Sequence, residues 1–165
     1  MTVRNTGDRP GAQKLGQQFK VRGYPTLVLF RPDGTELTRL PGEAEAAQAM
    51  ELLRLGLADG RAVKDVLADA RAGKPIAAAE WRLLAFYSWE TDDESLLAGT
   101  DAASVLAQLA LASAAAGAET ATRLWLKAVA ASDGGQGLKA DDAVRARVRQ
   151  VLADAAQVRA HADVI

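Results

Sequence analysis

The residue types that most often carry chemistry are scarce in this chain of 165 residues. It has no cysteine and a single histidine, His161, four residues from the C-terminus. Thiolate nucleophiles, disulfides and thiolate metal sites are therefore excluded for its own residues, as are histidine pairs and multi-histidine metal sites. His161 reads as an exposed tail residue. The densest carboxylate group is Asp92, Asp93 and Glu94 in "TDDE", residues 91–94. Acids in such a run can share a proton or hold a cation. At a helix start they complement the dipole instead, with Thr91 as N-cap and Glu94 reaching back to close a capping box. "DGGQG" at 133–137 has the glycines of a phosphate loop but no following Gly-Lys-Ser/Thr and no preceding strand, so it reads as a helix connection. Arg145 and Arg149 share a helix face and could hold an anion, yet Asp141 and Asp142 lie within one turn, which makes a solvated, ion-paired face. The aromatics from Trp81 to Trp89 could line a ligand pocket, but their helical spacing reads as core. No catalytic, cofactor-binding or metal-ligating residue is assigned, and no cofactor is expected.

One stretch remains: "VRGYPTLVLFRPDGTEL", residues 21–37, which sets Tyr24-Pro25 directly before an apolar run. Proline lacks the N–H that a sheet ladder uses, and it pushes the preceding residue out of helical geometry. The elements around it follow from local pattern. "TVRNT" makes a short edge strand. Asp8 and Pro10 open a helix over about 11–20 whose apolar face is Leu15 and Phe19. "TLVLF" at 26–30 is apolar throughout, as in a strand buried on both faces. Pro32 and Asp33-Gly34 turn the chain into "TELTRL", 35–40, which alternates as a second antiparallel strand. Pro41-Gly42 stops it. Residues 43–58 then form a helix with Ala46, Met50, Leu53 and Leu57 on its apolar face.

Composition changes near residue 60. Alanine accounts for 30 of the 105 residues after it and 6 of the first 60, while four of the five prolines precede it. An α/β segment, 1–60, is thus followed by an Ala-rich helical segment, 61–165, with the boundary at Asp59-Gly60. The second segment reads as five helices. Val63, Val66, Leu67 and Ala70 mark the first, ended by Gly73-Lys74-Pro75, and "IAAAEWRLLAFYSW" at 76–89 the second. Val105, Leu109 and Ala112 mark the third, and Leu124, Trp125 and Ala128 the fourth. A long last helix carries Val144, Val148, Val151, Ala155, Val158 and Ala162 along one seam. Net charge is −1 with scattered Lys and Arg, so no nucleic-acid partner is expected. No apolar run is long enough to span a bilayer and the N-terminus has no signal-like apolar stretch, so no membrane partner is expected either. Localisation is left unassigned.

Residues 19–43, "FKVRGYPTLVLFRPDGTELTRLPGE", resemble the C-terminal half of a thioredoxin-fold protein, in the manner of the thiol:disulfide interchange proteins. The resemblance rests on Val21, Gly23, Pro25 and Thr26, on Asp33-Gly34 and on Gly42, and it covers about residues 12–58. The fold class is thus α+β, a partial thioredoxin-like fold followed by an Ala-rich all-α domain. The resemblance implies a cis peptide bond before Pro25 and a partner protein or extended peptide bound by Gly23, Tyr24 and Pro25, in a form of strand addition. It implies no redox role for any residue here, because disulfide exchange needs a thiolate.

The family's first strand and its Cys-x-x-Cys segment have no counterpart in this sequence. Without that strand, Thr26 to Phe30 would show an open edge, an aggregation hazard. "TVRNT" could fill it, a second copy could pair there as a homodimer, or helices could cover it. Two functions stay open. The chain is a redox-inactive piece of a parent that performs thiol:disulfide exchange, or it is a complete non-catalytic module that binds peptides at Tyr24-Pro25 or partner helices on the bundle. An enzyme working through Asp92, Asp93 and Glu94 is the third and least supported reading.

Overall fold

The computed structural model describes residues 2–5, 11–19, 21, 26–41, 46–57, 60–92, 96–132, 138, 142–162 and 164. The chain divides into two compact units, Met1–Leu96 and Leu97–Ile165. The compositional change at Asp59-Gly60 therefore falls inside the first unit. The reason is packing: the first two helices after residue 60 bury their apolar faces within the unit that contains the sheet.

In the first unit, β1 (Thr2–Asn5), α1 (Ala12–Gln18), β2 (Thr26–Phe30) and β3 (Glu36–Pro41) precede helices α2 (Ala46–Leu57), α3 (Val63–Arg71) and α4 (Ala78–Phe86). The sheet is antiparallel in the order β1-β2-β3, with Val3 opposite Val28 and Leu27 opposite Leu40. β2 is thus paired on both sides. The edge at Thr26–Phe30 that a homodimer would need is occupied by β1, the first of the three remedies. Asp33-Gly34 makes the hairpin turn: Gly34 has φ +86°, its N–H donates to the Arg31 carbonyl at 3.0 Å, and Asp33 Oδ1 accepts from the Thr35 N–H at 2.8 Å. Positive φ at that position suits glycine.

The register of β2 against β3 shifts by one between Leu29↔Thr38 and Phe30↔Glu36, leaving Leu37 as an extra residue in β3. This bulge reverses the alternation of the strand. Residues three apart in a regular strand face opposite sides. Across the bulge, Glu36 and Arg39 meet on one side.

The core of this unit combines Val28, Leu29 and Leu40 of the sheet with Leu52, Val63, Val66, Leu84 and Phe86 of the helices. Two expected apolar faces are rotated from where periodicity put them. Leu15 is 39% exposed and α1 buries Ala12 and Gly16 instead. Met50 is 51% exposed and α2 turns Leu52 and Gly56 inward. Gly56 explains the second shift, because a Cβ there would collide with Leu29 Cδ2. The bare glycine lets α2 lie directly on β2, and that contact outranks the burial of a flexible methionine at the helix surface.

Thr91 does not take the expected N-cap role. Thr91 ends a short 3₁₀ turn, Trp89–Thr91, and its hydroxyl donates to Ser88. Asp92, only 5% exposed, accepts the Leu96 N–H at 2.9 Å, while Asp93 and Glu94 lie outside the described residues.

The second unit contains α5 (Ala102–Ala112), α6 (Ala118–Ala131), α7 (Asp142–Ala153) and α8 (Ala155–Ala160). Asp101 caps α5, its carboxylate accepting the Ser104 N–H and hydroxyl. Leu106, Leu109 and Ala110 of α5 are buried, as are Leu124 and Ala128 of α6. The expected long last helix is broken at Asp154, whose Oδ1 accepts the Ala156 and Gln157 N–H groups and so starts a new helix. The seam is broken with it: Val151 is 1% exposed, but Ala155 lies on the surface. His161 is buried at 1% exposure, not an exposed tail residue, because α8 folds back so that the Ala160 carbonyl meets Arg123 at 3.4 Å. Arg145 and Arg149 are exposed, and Asp141 and the Asp142 side chain lie outside what is described, as does "DGGQG". Among the described residues no helix is long and apolar enough to cross a membrane, and no three metal-ligating side chains cluster.

Candidate functional site

Gly23, Tyr24 and Pro25 lie outside the described residues, so the structure gives no geometry for the expected peptide-binding segment or its peptide bond. Its flanks are described. Val21 forms an antiparallel bridge with Asp92, and Thr26 begins β2 fully buried. Asp92, the bridge partner of Val21, lines a cavity of about 500 Å³, whose β2 wall is Phe30 at the far end of the strand from Thr26.

The cavity is built from both parts of the first unit. Phe19 at the end of α1 and Phe30 at the end of β2 supply adjoining rings, 4.9 Å apart and tilted by 43°. Glu36 and Arg39 come from β3, brought to one side by the bulge. Tyr87 and Asp92 come from the segment after α4, which is tied to β3 by the Ser88 N–H donating to the Arg39 carbonyl at 3.0 Å.

Arg39 is the centre of this arrangement, with 1% exposure. Its Nε donates to Glu36 Oε1 at 2.8 Å and its Nη2 to Glu36 Oε2 at 2.7 Å, a fork that matches carboxylate geometry. Nη1 donates to the Thr91 carbonyl at 2.5 Å and Nη2 also to the Phe19 carbonyl at 3.3 Å. One side chain thus joins the end of α1, β3 and the 89–91 turn. Burial alone would lower the guanidinium pKa, but the Glu36 hydrogen bonds and charge, with Tyr87 and Asp92, raise it above its ordinary value.

Tyr87 is 2% exposed and donates from its hydroxyl to Glu36 Oε1 at 3.4 Å. Burial pushes its pKa far upward, and the nearby Glu36 and Asp92 carboxylates push it further, against an opposing contribution from Arg39. Its ring packs edge-on against Trp89 at 4.7 Å. Trp89 in turn donates its indole N–H to the Leu84 carbonyl at 3.2 Å.

Of the aromatics read as core, Trp81 and Phe86 are indeed buried in packing, whereas Tyr87 faces the cavity. Glu36 and Arg39 carried no site signal in the sequence. Their i,i+3 spacing in a strand would have set them on opposite faces, and only the bulge makes them partners. Asp92 stood in an acidic run whose helical reading concealed it.

This arrangement has positioned charge and an aromatic wall but, in a chain without cysteine, no thiolate. It can hold a ligand by apolar contact, hydrogen bonding and charge. The comparisons bear on the framework alone. No curated protein and no solved structure matches the chain. Residues 2–56 match the family profile of the thioredoxin-like domain, starting at β1 and ending inside α2. The cavity's first wall lies in that segment, while Val63, Lys64, Tyr87, Asp92 and Leu96 lie beyond it. Residues 2–56 are thus similar to a thioredoxin-like domain, and the α+β unit that carries them continues past the matched segment.

Proposed function

We propose that the chain is a non-catalytic binding module for a protein or extended peptide, working through the Gly23-Tyr24-Pro25 segment and the cavity of the first unit. The observation that carries this reading is the cavity itself, about 500 Å³, lined by aromatic and charged side chains that include Asp92, the bridge partner of Val21. A few positioned polar groups within an apolar wall are the usual make-up of a binding site. The absence of cysteine supports binding over exchange, because the chain's own residues supply no thiolate.

Peptide display on the immobilised full chain tests the proposal. Extended peptides should be enriched, and Pro25→Ala or Leu37→Trp, the latter filling the cavity, should reduce their retention. No enrichment, or retention equal in both variants, would count against it.

The second reading, a piece of a thiol:disulfide exchange protein, is favoured by the thioredoxin-like match at residues 2–56. Reading the gene upstream of Met1 tests it. An in-frame Cys-x-x-Cys segment after an apolar strand would give the binding module a redox partner in the same polypeptide, and an immediate stop codon would remove this reading.

A further inference from the structure

The cavity's least exposed charges do not cancel, with Arg39 and Asp92 buried and Glu36 partly so. Glu36 and Asp92 contribute two negative charges and Arg39 one positive, and all three line the same space. Tyr87 stands among these groups, and burial first, then both carboxylates, hold its hydroxyl protonated against an opposing effect from Arg39. Lys64, also on the lining, is exposed, so its charge is screened by water.

The carboxylates keep acceptor capacity. Glu36 accepts from Arg39 and Tyr87, and Asp92 accepts the Leu96 N–H at Oδ2 and is also within hydrogen-bonding reach of the Tyr87 hydroxyl. An ionised carboxylate has about four lone-pair sites, so Asp92 retains room for a donor. Around these acceptors stand the rings of Phe19, Phe30 and Tyr87. Aromatic faces beside a net negative charge attract a cation with an apolar stem, through cation–π contact and desolvated charge pairing.

We infer that the cavity takes a cationic side chain of the lysine or arginine class, its stem against Phe19 and Phe30 and its head at Asp92 and Glu36. This rests on the peptide-binding reading above and names the residue that such a peptide would place in the cavity.

The test titrates the full chain with n-butylguanidinium and n-butylammonium at constant ionic strength, with butyrate and 1-butanol as the anionic and neutral counterparts. The Trp89 indole resonance and the amide resonances of Glu36, Arg39 and Asp92 report binding. Both cations should saturate these shifts, and butyrate and 1-butanol should bind at least about tenfold more weakly, the size of one charge-assisted hydrogen bond. Asp92→Asn should weaken the cations by about the same factor. Lys64→Met, a change at the screened rim, should alter their affinity little, and the comparison with butyrate and 1-butanol on the unchanged chain keeps the test decisive if Asp92→Asn does not fold. Butyrate binding as tightly as the cations, or no saturation by either cation, would overturn the inference. Display-selected peptides that bind without preferring Lys or Arg would also overturn it while sparing the peptide-binding reading. Cations that saturate while no peptide is enriched would overturn that reading and leave the cation site standing.

Discussion

Each unit of the molecule buries an arginine completely, and the surroundings of the two differ. Arg39 in the first unit sits in a strand beside a cavity, forked onto Glu36 and bonded to carbonyls from α1 and from the 89–91 turn. Arg123 in the second sits on α6 among Leu124, Leu126 and Ala128, and donates to the Ala160 carbonyl. In the first unit a bulge and a segment tied across the strand hold side chains apart around polar groups. In the second, Ala110 and Ala128 are fully buried, and small side chains let helices approach closely. The proposed binding role is therefore assigned to the first unit, which has the cavity, while the second contributes most of the chain's alanine.

The largest test of this contrast removes the arginine at the cavity. Arg39→Met would leave Glu36 and two main-chain carbonyls without their donor. The expected loss of stability is about 3–5 kcal/mol, as for breaking a buried pair from one side, with Glu36's partial exposure favouring the lower end. Chemical denaturation would measure it, and amide exchange should accelerate in β3 and in residues 87–92. A loss under about 1 kcal/mol would mean that Arg39 is not the joint described here.

The next effect is one of pH. Tyr87 has its pKa raised above the ordinary 10.0 by burial and by Glu36 and Asp92. The folded state therefore keeps the phenol proton when the unfolded chain loses it. Stability from this group is complete below pH 10 and falls as pH rises above it, by up to about 1.4 kcal/mol per pH unit. Tyr87→Phe should flatten that alkaline slope in a pH series of denaturation curves. An unchanged slope would show that neither burial nor the carboxylates hold the Tyr87 pKa above its ordinary value.

The smallest effect lies in the second unit. Asp154→Ala removes the cap that separates α8 from α7 and should cost about 1 kcal/mol. Exchange of the Ala156 and Gln157 amides should rise. If the variant instead gains stability, the helix continues through 154 as periodicity alone would have it.

Much of the framework could be read from local pattern. The apolar run at 26–30, the Asp33-Gly34 turn and the inward face of α3 at Val63, Val66 and Leu67 all follow from rules that span a few residues. The site could not be read so, because it depends on parity and distance. One extra residue, Leu37, decides that Glu36 and Arg39 face each other, and Tyr87 and Asp92 arrive from about fifty residues further along the chain. Helix faces failed where tertiary contact outweighed periodicity, as at Gly56, where the missing side chain mattered more than Met50's hydrophobicity. Asp154 and His161 failed for a related reason: a side-chain cap ended one helix, and the next folded back to bury a residue that its terminal position had marked as exposed.

The central claim is that binding belongs to the cavity of the first unit. Amide exchange of the full chain, with and without a saturating display-selected peptide, tests it most directly. The account predicts slowed exchange at Phe19, Phe30, residues 36–39 and 87–92. Protection confined to α5 and α6 would contradict it.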